Sequence, residues 1–63
     1  MKKYRVTFRI SDRPHSSLMK TEEVYADAWR VDSDQVCLYR RDREGEVTVF
    51  DVPRSRVTRI LEV

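Results

Sequence analysis

The side chains that most often carry out chemistry are scarce in this sequence. It contains one histidine, His15, and one cysteine, Cys37. His15 has an aspartate and two serines nearby, but a catalytic serine needs a hydrogen-bonded base and an orienting acid in a fixed geometry. Adjacent residues of one loop rarely provide that geometry. We therefore expect His15 to be a solvated loop residue and predict no catalytic residue.

Metal and thiol chemistry have equally few candidates. One cysteine and one histidine are fewer than the four ligands of a tetrahedral zinc site. Asp32 could begin a calcium loop, but the sixth and twelfth positions are Cys37 and Arg43, where that loop needs glycine and glutamate. Cys37 has no partner thiol, and we expect it to be packed inside a strand rather than reactive. The sequence thus predicts no metal, no cofactor and no enzyme.

Arginine and aromatic residues give the strongest signal for binding. Tryptophan, tyrosine and arginine dominate the hot spots of protein interfaces. The sequence therefore predicts a non-enzymatic module that binds a host protein or a second copy of itself. The predicted contact residues are Trp29, Tyr39, Arg40 and Arg41. Trp29 also has a competing interpretation, because one indole ring can fill much of a small core.

Nucleic-acid binding is the alternative function. A stripe of arginines with exposed aromatic rings suits phosphate contacts and base stacking. The chain has 13 basic and 11 acidic residues, so the net charge is only +2. Acidic residues alternate with the arginines, and cross-strand ion pairing produces the same pattern, which favours a solvated mixed-charge surface. The arginines of the alternative are Arg5, Arg9, Arg40, Arg41 and Arg43.

The length of 63 residues limits what the chain can build. We expect one small domain over residues 1–63, with a core too thin for an enclosed ligand cavity of roughly 300 Å³ or more. A thin core also favours a homo-oligomer formed through an edge strand. No apolar run approaches the roughly 18 residues of a membrane span, and no signal-peptide core follows the basic start, so we expect no membrane and a cytoplasmic location.

Alternating apolar and polar residues predict strands in the first half of the chain. Residues 2–10 alternate strictly, which is typical of a half-buried strand. Residues 11–19 predict a polar and mobile loop. Residues 20–31 predict a long strand, with a helix as the alternative. Its apolar side changes over near Ala28–Trp29, which indicates a bulge or a strong bend.

Turn signals divide the second half into short strands. Asp32 to Asp34 predict a turn, and Gly45 predicts a second one that needs positive φ. A proline at position 53 predicts a 3₁₀ turn before the last strand. The three remaining strands are expected at 35–41, 46–52 and 56–62. Five short strands with a 3₁₀ turn before the fifth predict an all-β, SH3-like barrel, by analogy to a fold that carries no function with it.

Five short runs in the second half also follow one another in a familiar order. They are Tyr25-Ala26-Asp27-Ala28-Trp29, Val36-Cys37-Leu38-Tyr39-Arg40, Gly45-Glu46-Val47, Phe50-Asp51-Val52-Pro53 and Val57-Thr58-Arg59-Ile60. This order resembles short SH3-like β-barrel proteins of actinobacteria and their phages over residues 20–63. The resemblance implies a small β-barrel, phage-encoded, and supplies no catalytic residue. Peptide-binding SH3 domains use paired tryptophans, whereas this chain has one, so recognition of proline-rich ligands is not implied.

Overall fold

The structure, a computed structural model, describes residues 1–11 and 18–63. Their strands form two antiparallel three-stranded sheets, in the orders β2–β1–β6 and β3–β4–β5. The elements are β1 (Lys2–Arg9), β2 (Met19–Ala26), β3 (Ala28–Asp32), β4 (Gln35–Asp42), β5 (Gly45–Pro53), a 3₁₀ turn (Arg54–Arg56) and β6 (Val57–Glu62). The predicted all-β class is confirmed. Most of the loop predicted at 11–19 lies outside the described residues.

β1 is the central strand of the first sheet, and its alternating sequence gives it two different faces. Tyr4 and Val6 are buried and Phe8 is half-buried, whereas Arg5 on the opposite face is exposed. β2 pairs with β1 along its whole length. β6 pairs on the other side with one extra residue, Thr58, which forms a bulge.

Asp27 divides the predicted long strand into β2 and β3 and turns the chain from the first sheet into the second. Its backbone N–H donates a hydrogen bond to the carbonyl oxygen of Tyr39 (2.8 Å). Its carboxylate Oδ2 accepts the backbone N–H of Arg41 (2.7 Å). The short carboxylate therefore ties the bend to the backbone of β4 rather than to its own segment. The predicted change of face is confirmed, and the bend lies just before Ala28–Trp29.

Two tight hairpins join the strands of the second sheet. Ser33 and Asp34 both have positive φ, 50° and 62°, which is the backbone of a type I′ turn between two strands. Gly45 has a φ of 127°, a conformation that strains any residue with a Cβ. Both turns lie where the sequence predicts them.

The 3₁₀ turn returns the chain from β5 to the first sheet. Pro53 precedes it with a φ of −55°, the value to which its ring restricts it. The N–H of Arg54 donates to the carbonyl oxygen of Asp34 (2.8 Å). This hydrogen bond fastens the turn to the β3–β4 hairpin, so the start of β6 lies beside the end of β3.

One apolar core joins the two sheets. Val6 from the first sheet and Leu38 from the second are fully buried. The rings of Phe8 and Phe50 lie 5.7 Å apart at a tilt of 57°, which is a favourable arrangement for two aromatic rings. The other buried members are Tyr4, Ala26, Val36 and Val52, and Val24, Val57 and Ile60 pack against them while partly exposed.

Neither sheet closes into a barrel. In the described part of the chain, β3 pairs only with β4, and β6 pairs only with β1. The expected all-β class is therefore confirmed, whereas the expected five-stranded closed barrel is unconfirmed, because the described strands are six and form two separate sheets. Six buried and five partly buried core residues give a small chain too little apolar surface to cover both inner faces completely.

Candidate functional site

An open groove lies between the edge strands β3 and β6. We call it the β3–β6 groove, and its volume is about 420 Å³. That volume is within the range of ligand sites, but the site is an open surface rather than an enclosed cavity. Its shape suits a segment of polypeptide better than a small molecule. The lining residues are Trp29, Val31, Val36, Arg54, Val57, Thr58, Arg59 and Ile60.

The β3 wall of the groove is an uncovered part of the inner face of the second sheet. Trp29 is paired with Leu38, and Val31 is paired with Val36. Residues that are directly opposite in an antiparallel pair project to the same face. Leu38 and Val36 are 0% and 3% exposed, whereas Trp29 and Val31 are 43% and 47% exposed. The interpretation of Trp29 as a core residue is therefore wrong, because the first sheet covers β4 and leaves β3 open.

The opposite wall combines apolar residues with two arginines. Val57 and Ile60 are half-buried, and Arg54 and Arg59 are exposed. Neither guanidinium forms an ion pair within residues 1–11 and 18–63. None of the described residues that line the groove is acidic. The groove thus joins an apolar floor to two arginines that have no ion-pair partner among the described residues. Arg59 is paired with Thr7, so its side chain leaves β6 on the outer face and borders the groove from the strand edge.

A compact cluster on the outer face of the second sheet covers Tyr39. The guanidinium carbons of Arg30 and Arg41 lie 4.9 and 5.6 Å from the centre of the Tyr39 ring, which is within the range of cation–π contacts. Glu46 accepts a hydrogen bond from Arg30 (2.7 Å) and forms an ion pair with Arg41 (3.8 Å). The hydrogen bond to Glu46 raises the pKa of Arg30. Tyr39 is consequently only 8% exposed.

The four predicted contact residues do not form one surface. Tyr39 and Arg41 lie together in the outer cluster, while Trp29 lies on the inner face with Leu38. Arg40 is exposed between Tyr39 and Arg41 on β4, and strand alternation directs it to the opposite side from both. The structure therefore separates Trp29 from the Tyr39–Arg41 pair.

The hairpin of β4 and β5 ends in a two-stranded ribbon. Residues 40–49 are all exposed. Arg40 and Arg43 make no ion pair with any described residue. Asp42 accepts the N–H of Glu44 (2.8 Å) and closes the turn. Two of the five arginines of the nucleic-acid alternative are thus available at the ribbon.

The other arginines of that alternative already have partners. Arg5 forms an ion pair with Glu23 (3.4 Å), and Arg9 donates to the carbonyl oxygen of Ser55 (2.9 Å). Arg41 belongs to the outer cluster. Lys3 also lies 3.3 Å from Glu23, and its hydrogen bond and charge, with those of Arg5, lower the pKa of Glu23. This pattern matches the cross-strand ion pairing that the alternating charges predict.

Among the described residues, those considered for chemistry form no assembled site. Cys37 is half-buried in β4, as expected, and His15 lies outside the described residues. Within residues 1–11 and 18–63, no three metal-binding side chains lie together. The same residues contain no helix with the length and hydrophobicity needed to cross a membrane.

Sequence reasoning missed most of the groove. It identified Trp29 but gave no role to Val31, and it treated Arg54 and Arg59 only as part of a general basic surface. The sequence signal for the groove is that Trp29 and Val31 occupy alternate positions of one strand after the change of face at Asp27. That alternation places both residues beside the buried positions of β4.

Comparison with protein-family models, with curated proteins and with solved structures finds no match to this chain. The geometry of this chain alone therefore supports the candidate site. The resemblance to actinobacterial and phage proteins stays a prediction, as does a cytoplasmic location.

Proposed function

We propose that this protein is a non-enzymatic interaction module that binds a protein partner through the β3–β6 groove. The observation that supports the proposal is the exposure of Trp29 and Val31 on the inner face of a sheet, although their directly paired neighbours Leu38 and Val36 are buried. Contiguous exposed apolar surface rimmed by polar residues is characteristic of an interaction site. Trp29 is the anchor of this contact, in accordance with the role of tryptophan in binding hot spots.

An SH3-like arrangement of the two sheets is part of the proposal. Two features support it: the long strand that bends at Asp27 to serve both sheets, and the 3₁₀ turn that precedes the last strand. In such an arrangement the bend and the 3₁₀ turn each connect the two sheets. The partner would then occupy the open side of the two-sheet arrangement, where no described strand lies between β3 and β6.

Tyr39 and Arg41 have a different role in this proposal from the one that the sequence predicts. Because Arg30 and Arg41 cover the Tyr39 ring and share Glu46, the cluster stabilises the outer face of the sheet. Trp29 remains the predicted contact residue that lies in the groove. Arg40 lies outside it, on the ribbon.

A selection from a display library of random peptides tests the proposal. Selected peptides should shift the emission of Trp29, which is the one tryptophan of the chain. Replacing Trp29 with leucine should weaken their binding at least about tenfold, the loss of one hot-spot contact. Tyr25→Leu is the matched control, because Tyr25 is an exposed aromatic residue on the opposite face, stacked with Lys3.

Two results would count against the proposal. One is a selection that yields no binder, or binders unaffected by Trp29→Leu. The other is tight binding of labelled single-stranded DNA, duplex DNA or RNA that weakens steeply with salt and disappears when Arg40 and Arg43 are both changed to glutamate. The second result would favour the nucleic-acid alternative and move the site to the ribbon.

A further inference from the structure

The unpaired edge of β3 gives the proposed groove a specific mode of binding. Among the described strands, β3 has a neighbour on one side only, so part of its backbone N–H and C=O groups face the groove side without a described strand partner. An extended peptide can add a strand to such an edge, with backbone hydrogen bonds giving affinity and alternate side chains giving specificity. Natural proteins usually block exposed edges with proline, bulges or charged side chains.

β3 has few of these protective features, although it ends in the charged residue Asp32. It has five residues, no proline and an unbroken register with β4 from Ala28 to Asp32. The charged side chain at its centre, Arg30, is directed across β4 to Tyr39 and Glu46, away from the open edge. β6, in contrast, is interrupted by the bulge at Thr58, which makes it a poorer template for a regular strand.

The charge of the groove identifies the chemistry of the added strand. Arg54 and Arg59 carry two guanidinium groups without an ion-pair partner among the described residues, and the described lining has no acid. Asp34 lies in the neighbouring hollow with Arg54 but is not close enough to form an ion pair. Arginine is well suited to bind carboxylates through paired hydrogen bonds.

We infer that the β3–β6 groove binds an extended acidic peptide segment of a partner protein, which pairs with the open edge of β3. Alternate apolar side chains of this segment pack against Trp29 and Val31, and its carboxylates lie near Arg54 and Arg59. This inference rests on the proposed function and adds to it the conformation and the charge of the partner.

A peptide of alternating valine and glutamate, Val-Glu-Val-Glu-Val-Glu with blocked ends and a fluorescent label, is the probe. Its binding is measured by anisotropy and, independently, by the emission of Trp29. We expect saturable binding that shifts this emission to shorter wavelength. A matched Val-Lys-Val-Lys-Val-Lys peptide should bind at least about tenfold more weakly, in keeping with the loss of two ion pairs and the repulsion that replaces them.

A charge-reversal variant tests the role of the rim. Changing Arg54 and Arg59 together to glutamate should reverse the preference, so that the lysine peptide binds more tightly than the glutamate peptide. The matched control changes Arg40 and Arg43 to glutamate, which alters the net charge equally but lies on the ribbon. This control should leave the preference unchanged. All four side chains are exposed, so both variants should fold.

Backbone pairing is tested separately from charge. A Val-Glu peptide that is N-methylated on alternate residues has the same side chains but lacks the backbone donors along one edge. Its affinity should fall about tenfold or more, in line with the loss of one or two net hydrogen bonds. Equal affinity of the methylated and unmethylated peptides would overturn strand addition.

The remaining outcomes separate this inference from the proposed function. Failure of the Val-Glu peptide to bind, or equal binding of the glutamate and lysine peptides, overturns the inference. If library-selected peptides still require Trp29, the proposed function stands although the inference is overturned. Sedimentation velocity provides a third discrimination: a dimer that is lost in Val31→Lys would place a second copy of the chain in the groove, and not an acidic peptide.

Discussion

β3 and β4 are neighbouring strands of one sheet, and both have apolar residues on its inner face. Only the apolar residues of β4 on that face are covered. Trp29 and Val31 on β3 are paired directly with Leu38 and Val36 on β4. The β4 residues are buried and the β3 residues are nearly half exposed. The cause lies across the core, where β2 of the first sheet contacts parts of β4 and β5 and the inner face of β3 borders the open groove. The same apolar alternation therefore serves stability in one strand and is available for binding in the next.

The largest expected effect concerns the covered strand. Changing Leu38 to alanine should lower the free energy of unfolding by about 3 kcal/mol, because this side chain is fully buried and its loss leaves a cavity. For a domain of this size the melting temperature should fall by more than about 10 °C. Thermal and urea unfolding followed by circular dichroism measure both quantities. A loss below about 1 kcal/mol would mean that the centre of the core is elsewhere.

The sharpest form of the comparison uses one substitution at two paired positions. Val36→Ala should cost about 2 kcal/mol, whereas Val31→Ala should cost about 0.5 kcal/mol or less, because only Val36 is removed from water. The two residues face each other across β3 and β4, so the residue type and the face of the sheet are matched, and the comparison is between an edge strand and the central strand. Equal costs in urea unfolding would mean that the inner face of β3 is covered after all.

The bend at Asp27 determines where β3 lies relative to the first sheet. Asp27→Ala removes the carboxylate that accepts the N–H of Arg41 and should cost about 1 kcal/mol. Asp51→Ala is the control, because its exposed side chain forms no hydrogen bond within the described residues. Urea unfolding of both variants measures the difference. If the two variants were equally stable, the carboxylate of Asp27 would have no part in holding the bend.

The smallest effect concerns the outer face of the first sheet, where charges replace apolar contacts. Lys3 and Arg5 lower the pKa of Glu23 below its ordinary 4.5. A carboxylate with a lowered folded-state pKa stabilises the protein above its unfolded pKa, and this contribution is lost as pH falls through the folded value. Glu23→Gln should therefore reduce the loss of stability below about pH 4.5, and added salt should diminish the difference.

Melting temperatures across an acid pH series test this expectation, with Glu44→Gln as control. Glu44 is exposed and forms no ion pair in the described part of the chain. An identical pH profile for the wild-type protein and Glu23→Gln would show that the pairs with Lys3 and Arg5 do not persist in solution.

Much of the fold follows from local patterns in the sequence. The alternation of Tyr4, Val6 and Phe8 predicts β1, and the change of face before Trp29 predicts the bend. Gly45 marks the second hairpin because its φ of 127° requires a residue without a Cβ. These features depend on each residue and its close neighbours, which a single sequence records.

The groove could not be predicted in the same way, because it depends on which strands of the second sheet lie against the first sheet. Trp29 has the residue type and the spacing of a core residue, and only the tertiary arrangement leaves it exposed. Tyr39 shows the reverse, because the sequence predicts a contact residue and two arginines from β3 and β4 cover its ring. Apolar periodicity identifies the inner face of a sheet but not how much of that face is covered.

The central claim is that the inner face of β3 is open in the free protein, and the accessibility of Trp29 to a neutral quencher tests it most directly. Acrylamide quenching of the single tryptophan should be efficient in dilute protein and should decrease when the Val-Glu peptide is added. Strong protection of Trp29 in dilute protein would contradict the claim, since a covered indole leaves no groove. Protection that grows with protein concentration alone would also contradict the account, because a second copy would then fill the groove.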